Sequence, residues 1–229
     1  MQQIGPGSSS MAVRLAQRLL NARLRRTPGF RRLRVDGAFG PRTVAAVADF
    51  QRANHVMQEQ GIIGTLTWRA LGLSVEIDHP VHMRPQHYGM GCWNACAAML
   101  LDRDMSVGTN DATLGLTRGL MPDVDNVATF VQPFGWDVVS PPSNVRGLAN
   151  ILARTPIWIA GTAMFSDGEQ GGHVVVISGA WGDGSDSGTF IRVHDPWPVN
   201  IGTVVVGSYP YMTVSEDSGF DPILIAGPF

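Results

Sequence analysis

The sequence predicts an α+β protein: a small three-helix N-terminal domain, then a larger domain with a helical part and an antiparallel β-sheet. Three observations support this prediction. Apolar residues recur at helical spacing in the first 72 residues, further helical patterns follow, and β-branched runs dominate after Pro156. A helical half followed by a strand-rich half is typical of α+β proteins. The 229 residues suffice for two modest domains with real cores.

Charge separates the same two parts of the chain. Residues 1–72 contain eleven arginines and three carboxylates, a net charge of +8, whereas residues 73–229 contain six arginines and sixteen carboxylates, a net charge of −10. A basic N-terminal domain favours an anionic polymer such as nucleic acid, an anionic membrane or an acidic cell-wall component, although a solvated arginine-rich face explains the charge equally well. No apolar run reaches the length needed to span a bilayer, so we expect no membrane insertion.

The N-terminal elements follow in order. Residues 1–11 are rich in Gly, Ser and Pro and are expected to be flexible. Three amphipathic helices are expected within residues 12–72. A tight turn that ends at Pro41 predicts the start of the second helix, and Thr65 or Thr67 is expected to cap the third.

This N-terminal pattern resembles the three-helix peptidoglycan-binding domain over about residues 12–72. The matching residues, in order, are Leu15, Gln17, Leu19, Asp36-Gly37, Phe39-Gly40, Thr43, Ala46-Val47, Phe50-Gln51, Gly61-Ile62, Gly64, Thr67-Trp68 and Leu71. The resemblance implies that peptidoglycan, through its glycan or its stem peptide, is a partner rather than nucleic acid, and makes Asp36 and Phe39 candidate contacts. Core packing is the favoured interpretation of Phe39. The Arg-rich insert Arg23–Arg34 departs from the family pattern.

The second domain is expected over residues 86–229, after a linker at 73–85. A helix is predicted to begin at Cys92 and run to Leu101. Further helices are expected near Val107–Arg118, Asp123–Phe134 and Asn144–Leu152. Strands are expected at Ile157–Ile159, His173–Ile177, Thr189–Val193 and Thr203–Val206.

Cys92 is the most informative residue of this domain, because a Gly-rich turn places its thiol at the start of an apolar helix. The free N–H groups and positive dipole end of a helix N-terminus favour a thiolate and can bind an oxyanion. Gln86, six residues upstream, is a candidate second oxyanion donor. Cys96 lies one helical turn further and is expected to be a buried packing thiol, since a disulfide with Cys92 would have poor geometry.

A cysteine nucleophile needs a base and a group that orients the base. His173 follows two glycines at the mouth of an apolar strand. A polar turn at residues 181–188 predicts a hairpin whose return strand brings Asp195 back to the end where His173 lies. His194 should point to the opposite face of that strand.

These contexts together resemble papain-like cysteine peptidases over about residues 80–215, particularly bacteriocin-processing peptidases and the papain-like effector proteases of plant pathogens. The resemblance rests on Gln86, Cys92-Trp93, Gly172-His173 with the apolar run to Gly179, and Val193 to Pro198. It implies that Cys92 is the nucleophile, His173 the general base and acid, and Asp195 the imidazole orienter. Gln86 and the Cys92 N–H would form the oxyanion hole, and Trp93 and Gly172 are substrate-binding candidates. No cofactor is implied, and the spacing of His79, His82 and His87 does not favour a metal site.

The expected function is a peptidoglycan amidase or endopeptidase that cuts stem-peptide amides. Residues 1–11 lack the pattern of an ordinary secretion signal. The expectation is therefore an interbacterial toxin made in the bacterial cytoplasm, delivered by a specialised secretion system and active in the target cell's periplasm. Its expected partners include an immunity protein and a component of the secretion apparatus.

Three alternatives stay open at this point. The same chemistry fits a protease that cleaves a protein in the recipient cell, and it fits a phage-type lysin. A wall-binding module with a degenerate peptidase fold is the non-enzymatic alternative, and the presence of Gln86, Cys92, His173 and Asp195 argues against it.

Overall fold

The fold is α+β, as predicted, with two compact units. The computed structural model describes residues 3–102, 119–120, 123–164, 170–186, 188–208 and 223–226. One unit comprises Met1–Glu76 with Trp181–Phe190, and the other comprises Ile77–Ala180 with Ile191–Phe229. The helix expected near Val107–Arg118 lies outside the described residues. The domain boundaries drawn from the sequence stay a prediction.

The N-terminal unit is built on three helices: α1 (Met11–Leu24), α2 (Pro41–Ala53) and α3 (Thr65–Leu71), with a 3₁₀ turn at Met57–Glu59. Ser10 caps α1 through its side chain, and Pro41 begins α2 as expected. The apolar faces meet in one core, whose most deeply buried members include Leu15, Leu20, Val47, Trp68 and Leu71.

Two buried glutamines hold the turns between these helices in the same way. The Gln17 side chain accepts a hydrogen bond from Gly37 N at 3.0 Å and donates to Asp36 Oδ1 at 2.9 Å. The Gln51 side chain accepts from Gly61 N at 2.9 Å and donates to the Ile62 carbonyl at 2.6 Å. Both glycines have positive φ, which only glycine adopts without strain. Each glutamine therefore fixes the turn that leads into the next helix.

The third helix begins differently from the prediction. Its N-cap is Gly64, and neither Thr65 nor Thr67 caps it through a side chain. The Glu59 carboxylate instead accepts hydrogen bonds from the backbone N–H groups of Gly64, Leu66 and Thr67, at 2.9 to 3.0 Å. A carboxylate also complements the positive end of the helix dipole. The prediction of a threonine cap was wrong, because an acidic side chain from the preceding 3₁₀ turn takes that place.

After α3, helices and strands are interspersed along the chain, and the later described elements are all strands. In chain order they are β1 (Val75–Asp78), α4 (Cys92–Leu101), α5 (Val124–Val131), β2 (Asp137–Val139), α6 (Val145–Leu152), β3 (Ile157–Met164), β4 (Gln170–Gly182), β5 (Thr189–Asp195), β6 (Thr203–Ser208) and β7 (Ile223–Ala226). A 3₁₀ turn at Gln132–Phe134 follows α5. None of the helices in the described ranges is long and apolar enough to cross a membrane.

The strands form one sheet in the order β2-β7-β3-β4-β5-β6, and β1 pairs with β4. β3 and β4 are antiparallel, with Gly161 opposite His173 and Ile157 opposite Ile177. β7 lies between β2 and β3 and is antiparallel to both. Because β1 pairs with β4, the segment 73–85 is not the plain linker that was expected: its first part is a strand of the sheet.

Helix α4 is the apolar centre of the second unit. Its Trp93 ring meets Phe130 edge to face at a centroid distance of 5.1 Å, and the Trp158 indole N–H donates to the Trp93 carbonyl at 3.2 Å. Val174 and Val176 of β4 belong to the same buried cluster. Burial on this scale, in well-packed aromatic and aliphatic side chains, fixes the position of α4 and of the residue at its start.

Candidate active site

Cys92 is the first residue of α4, as predicted, and its thiol is free. The N-cap residue, Gly91, provides no side-chain cap, and its own N–H donates to the Tyr88 carbonyl at 3.0 Å. Within the described residues, the Cys92 backbone N–H has no acceptor. The nucleophile candidate therefore lies at a helix N-terminus with an N–H group still able to bind an anion.

His173 and Asp195 meet at the position that the hairpin predicted. His173 Nε2 lies 2.7 Å from Asp195 Oδ1, and because a carboxylate can only accept, the imidazole donates this hydrogen bond. Asp195 is the last residue of β5, and its Oδ1 also accepts from the backbone N–H of Trp197 at 2.9 Å. The carboxylate is therefore held by the main chain of the loop that follows it.

The two titratable partners of His173 decide its charge. Burial lowers the pKa of His173, but the hydrogen bonds to Asp195 and to the Cys92 thiol, together with their charges, outweigh burial and raise the pKa to about 9. One imidazole thus bridges the thiol and the carboxylate, and its protonated form is favoured at neutral pH.

Backbone hydrogen bonds join Gln86 to the loop that follows Asp195. Its N–H donates to the Pro196 carbonyl at 3.1 Å, and its carbonyl accepts from Asn200 N at 2.8 Å. The loop that precedes Cys92 and the loop that follows Asp195 are therefore hydrogen-bonded to each other at this residue.

The side chain of Gln86 makes contacts that the sequence did not suggest. Its Nε2 donates to the carbonyls of Tyr88 and Gly89, both at 2.9 Å, while its Oε1 is buried and has no partner within the described residues. Both amide hydrogens are thereby used within the loop. In this conformation neither amide hydrogen of Gln86 is free to donate to another acceptor.

Cys96 is fully buried, as expected of a packing thiol. Its Sγ donates to the Val174 carbonyl at 3.3 Å. Burial, followed by the charges of Cys92 and Asp195, raises the pKa of Cys96 well above its ordinary value. A thiol that stays protonated and bonded to a strand is a poor nucleophile.

His194 is turned away from Asp195, also as expected for adjacent residues of a strand. It is buried, and its Nε2 is hydrogen-bonded to Ser178 Oγ at 2.8 Å. Burial and the charge of Arg192 lower the pKa of His194 to about 4. A neutral histidine bonded to this serine is structural.

The substrate-binding candidates fare unevenly. Trp93 is 2% exposed and Phe39 is 3% exposed, so both side chains are core residues, and their contact with substrate stays a prediction. Asp36 is exposed, with its carboxylate bonded to Gln17, a hydrogen bond that lowers the Asp36 pKa. Gly172 is exposed, and a Cβ built there would meet nothing within 4 Å. Gly172 alone therefore lies next to His173 with open space beside it.

Sequence reasoning missed two neighbours of Cys92. Tyr88 and Met90 are 40% and 45% exposed, although both are large and apolar. They belong to the short loop that also contains the two carbonyls bonded to Gln86. Two large side chains in a short Gly-rich loop directly before the predicted helix start are the signal that could have identified them.

Comparison with known protein families agrees with both halves of this description. A family model for a peptidoglycan binding domain matches residues 9–71, and a family model described as the papain-like cysteine protease AvrRpt2 matches residues 73–211. The comparison with curated proteins finds no match for this chain.

The second match covers more than half of the chain and includes Gln86, Cys92, His173 and Asp195. The first covers all three helices of the N-terminal unit and begins at residue 9. The protein is thus a cysteine peptidase with a peptidoglycan-binding domain, and the chain belongs to the AvrRpt2 family of papain-like cysteine proteases.

Proposed function

We propose that the protein hydrolyses stem-peptide amides of peptidoglycan, with Cys92 as nucleophile, His173 as general base and acid, and Asp195 as the residue that orients His173. The observation that supports it most is the bridge formed by His173 between Cys92 and Asp195, in a chain that also has a peptidoglycan-binding domain. Tethering to the polymer raises the local substrate concentration, because the encounter with the bond becomes effectively intramolecular.

The proposed reaction has two halves that share one proton carrier. The Cys92 thiolate attacks the amide carbonyl carbon, and the carbonyl oxygen becomes an oxyanion at the start of α4. The C–N bond then breaks, the His173 imidazolium gives its proton to the leaving amine, and a thioester remains on Cys92. Water attacks the thioester while His173 takes its proton, which releases the carboxylic acid and regenerates the Cys92 thiolate and the His173 imidazolium.

Gln86 is proposed to serve this reaction as the second oxyanion donor once its amide leaves the loop carbonyls. Substitution Gln86→Ala is expected to lower kcat about 10²-fold with KM nearly unchanged, because an oxyanion donor acts mainly in the transition state. Steady-state kinetics on a short peptide amide, with thermal unfolding as the folding check, measures this. A raised KM at unchanged kcat would instead assign Gln86 only to shaping the loop of Tyr88 and Gly89.

We further propose that the enzyme is an interbacterial toxin effector, delivered to the envelope of a competitor and neutralised in the producer by an immunity protein over the Cys92 cleft. What supports this is the pairing of an AvrRpt2-type protease with a wall-binding domain. The second candidate is a protease that cleaves a protein in the recipient cell. The family match favours it directly, because that family is described as proteases.

Digestion of purified sacculi separates the two candidates. Wild-type protein is expected to release new stem-peptide fragments, identified by mass spectrometry, and Cys92→Ala is expected to release none. An unfolded protein substrate serves as the parallel control. If that control is cleaved while sacculi stay intact at high enzyme concentration, the wall substrate is wrong and the protease candidate replaces it.

The toxin role is tested separately, by expressing the wild-type protein and Cys92→Ala in a susceptible bacterium. Wild-type protein directed to the periplasm of a susceptible bacterium should cause lysis, whereas Cys92→Ala should not. Toxicity restricted to cytoplasmic expression would exclude a wall substrate, since peptidoglycan lies outside that compartment.

A further inference from the structure

The N-terminal unit contains a pocket of about 470 Å³ that none of the preceding roles uses. It lies between one face of α1 and the segment that follows this helix. Three of the residues that line it are arginines, and two others have large apolar side chains. The lining residues used below are Arg18, Asn21, Arg25, Phe30, Arg32 and Val35.

The arginines reach the pocket from two directions. Arg18 and Arg25 are seven residues apart along α1 and its C-cap, so they share a face and their backbones are about 10 Å apart. Arg32 comes from the following segment. Asn21 fixes this segment to α1, since its side chain accepts from Leu33 N at 2.7 Å and donates to the Leu33 carbonyl at 3.0 Å. The fold therefore holds the backbones of the three arginines in fixed positions relative to one another.

No carboxylate lines this pocket, and the three side chains have no ion pair within the described residues. All three arginines are exposed at the pocket rim. Like charges around one concave site repel each other, so a bound anion would relieve their repulsion.

The apolar residues that line the pocket limit which anions would fit it. Phe30 is half-buried and packs against the helical core, and Val35 is half-buried beside it. A guanidinium pairs with carboxylate or phosphate through two parallel hydrogen bonds, while an apolar floor favours a ligand with methyl or methylene groups next to its charges. Stem peptides of peptidoglycan combine several carboxylates with short aliphatic side chains, which matches both features of the pocket.

We propose that this Arg-rich pocket binds the carboxylates of a peptidoglycan stem peptide, and that the insert Arg23–Arg34 is the part of the domain that provides this specificity. The inference rests on the proposed function in one respect, that the wall peptide is the polymer this enzyme meets. It places recognition of the peptide in the N-terminal unit and cleavage in the other unit. The binding domain then selects for stem peptides with free carboxylates rather than for glycan alone.

The test uses the full chain with Cys92→Ala, so that ligand is not consumed, and titrates it with a soluble disaccharide-tetrapeptide. The double variant Arg18→Gln with Arg25→Gln is expected to weaken binding about ten-fold or more, since each charged hydrogen bond contributes strongly to affinity. The matched control, Arg42→Gln with Arg69→Gln, removes the same charge from exposed positions of α2 and α3 and is expected to change affinity less than about two-fold.

A second arm varies the ligand and needs no variant. The same disaccharide-tetrapeptide with its carboxylates converted to amides is expected to bind about ten-fold more weakly or worse. Equal affinity for the two ligands would overturn the proposal, as would equal losses in the pocket and control variants. Tighter binding of inorganic polyphosphate than of the peptide would assign the pocket to a phosphate polymer instead.

Failure of this proposal is distinguishable from failure of the proposed function. Hydrolysis of a short peptide amide by protein with an intact Cys92 should be unaffected by the two arginine substitutions. If sacculi are not cleaved and yet the carboxylate-dependent binding is found, the cleavage target is wrong and the pocket stands. If sacculi are cleaved and binding shows no carboxylate dependence, the cleavage target stands and the pocket proposal is wrong.

Discussion

Cys92→Ala is expected to lower the rate of amide hydrolysis about 10⁴-fold or more, while the protein stays folded. The sulfur forms the thioester, so no neighbouring group can replace it. The side chain is 8% exposed and small, and its removal leaves the aromatic contacts of α4 intact. Release of amine from a peptide amide measures the loss, and active-site titration with a thiol-directed reagent counts the reactive sulfurs.

Cys96→Ala is the matched control for this substitution. It removes the other sulfur of the same helix, one that is bonded to the Val174 carbonyl and has a raised pKa. Most activity should remain, with a modest loss of stability from the small cavity. A Cys96→Ala protein that is folded and inactive would reverse the assignment of the two thiols.

His173→Ala is expected to lower activity about as severely, because the same imidazole accepts and donates the transferred proton. The matched control is His82→Ala, since His82 is an exposed histidine that pairs with Asp102. Kinetics at a fixed pH compares the two substitutions. A His173→Ala protein with more than about a tenth of wild-type activity would rule out the proposed proton carrier.

The pH dependence follows from the direction of the His173 pKa shift. The folded-state pKa is raised from 6.5 to about 9, so the imidazolium is present below 9 and disappears as the pH rises through that value. Activity that needs the imidazolium as acid should fall on this alkaline side, and the stability contributed by the charged histidine should fall over the same interval, from above 6.5 through about 9. In Asp195→Asn the alkaline limb should move to lower pH. An unmoved limb would show that Asp195 does not hold the charge of His173.

The sequence was most informative where structure is local. The apolar pattern from Cys92 predicted the bounds of α4 because helix periodicity and the Gly-rich turn lie within a dozen residues. The meeting of His173 with Asp195 was also predictable, since one hairpin turn joins β4 to β5 and brings Asp195 back to the level of His173.

Features that depend on distant partners were missed. β2 has three residues and β7 has four, and β7, which comes last among the described strands, lies between β2 and β3. No pattern within such short segments specifies which strand they pair with, because pairing is decided by long-range packing. The contacts of the Gln86 amide were missed for a related reason: they depend on carbonyls whose direction is set by the loop backbone.

The hydrogen bonds of Gln86 to Pro196 and Asn200 have a consequence for motion as well as for geometry. A loop joined to another by backbone bonds at both its N–H and its C=O cannot open alone, because each opening must break both bonds. The nucleophile's loop and the loop beyond Asp195 therefore form one cooperative unit of local unfolding. Loosening of one loop is therefore expected to loosen the other at the same time.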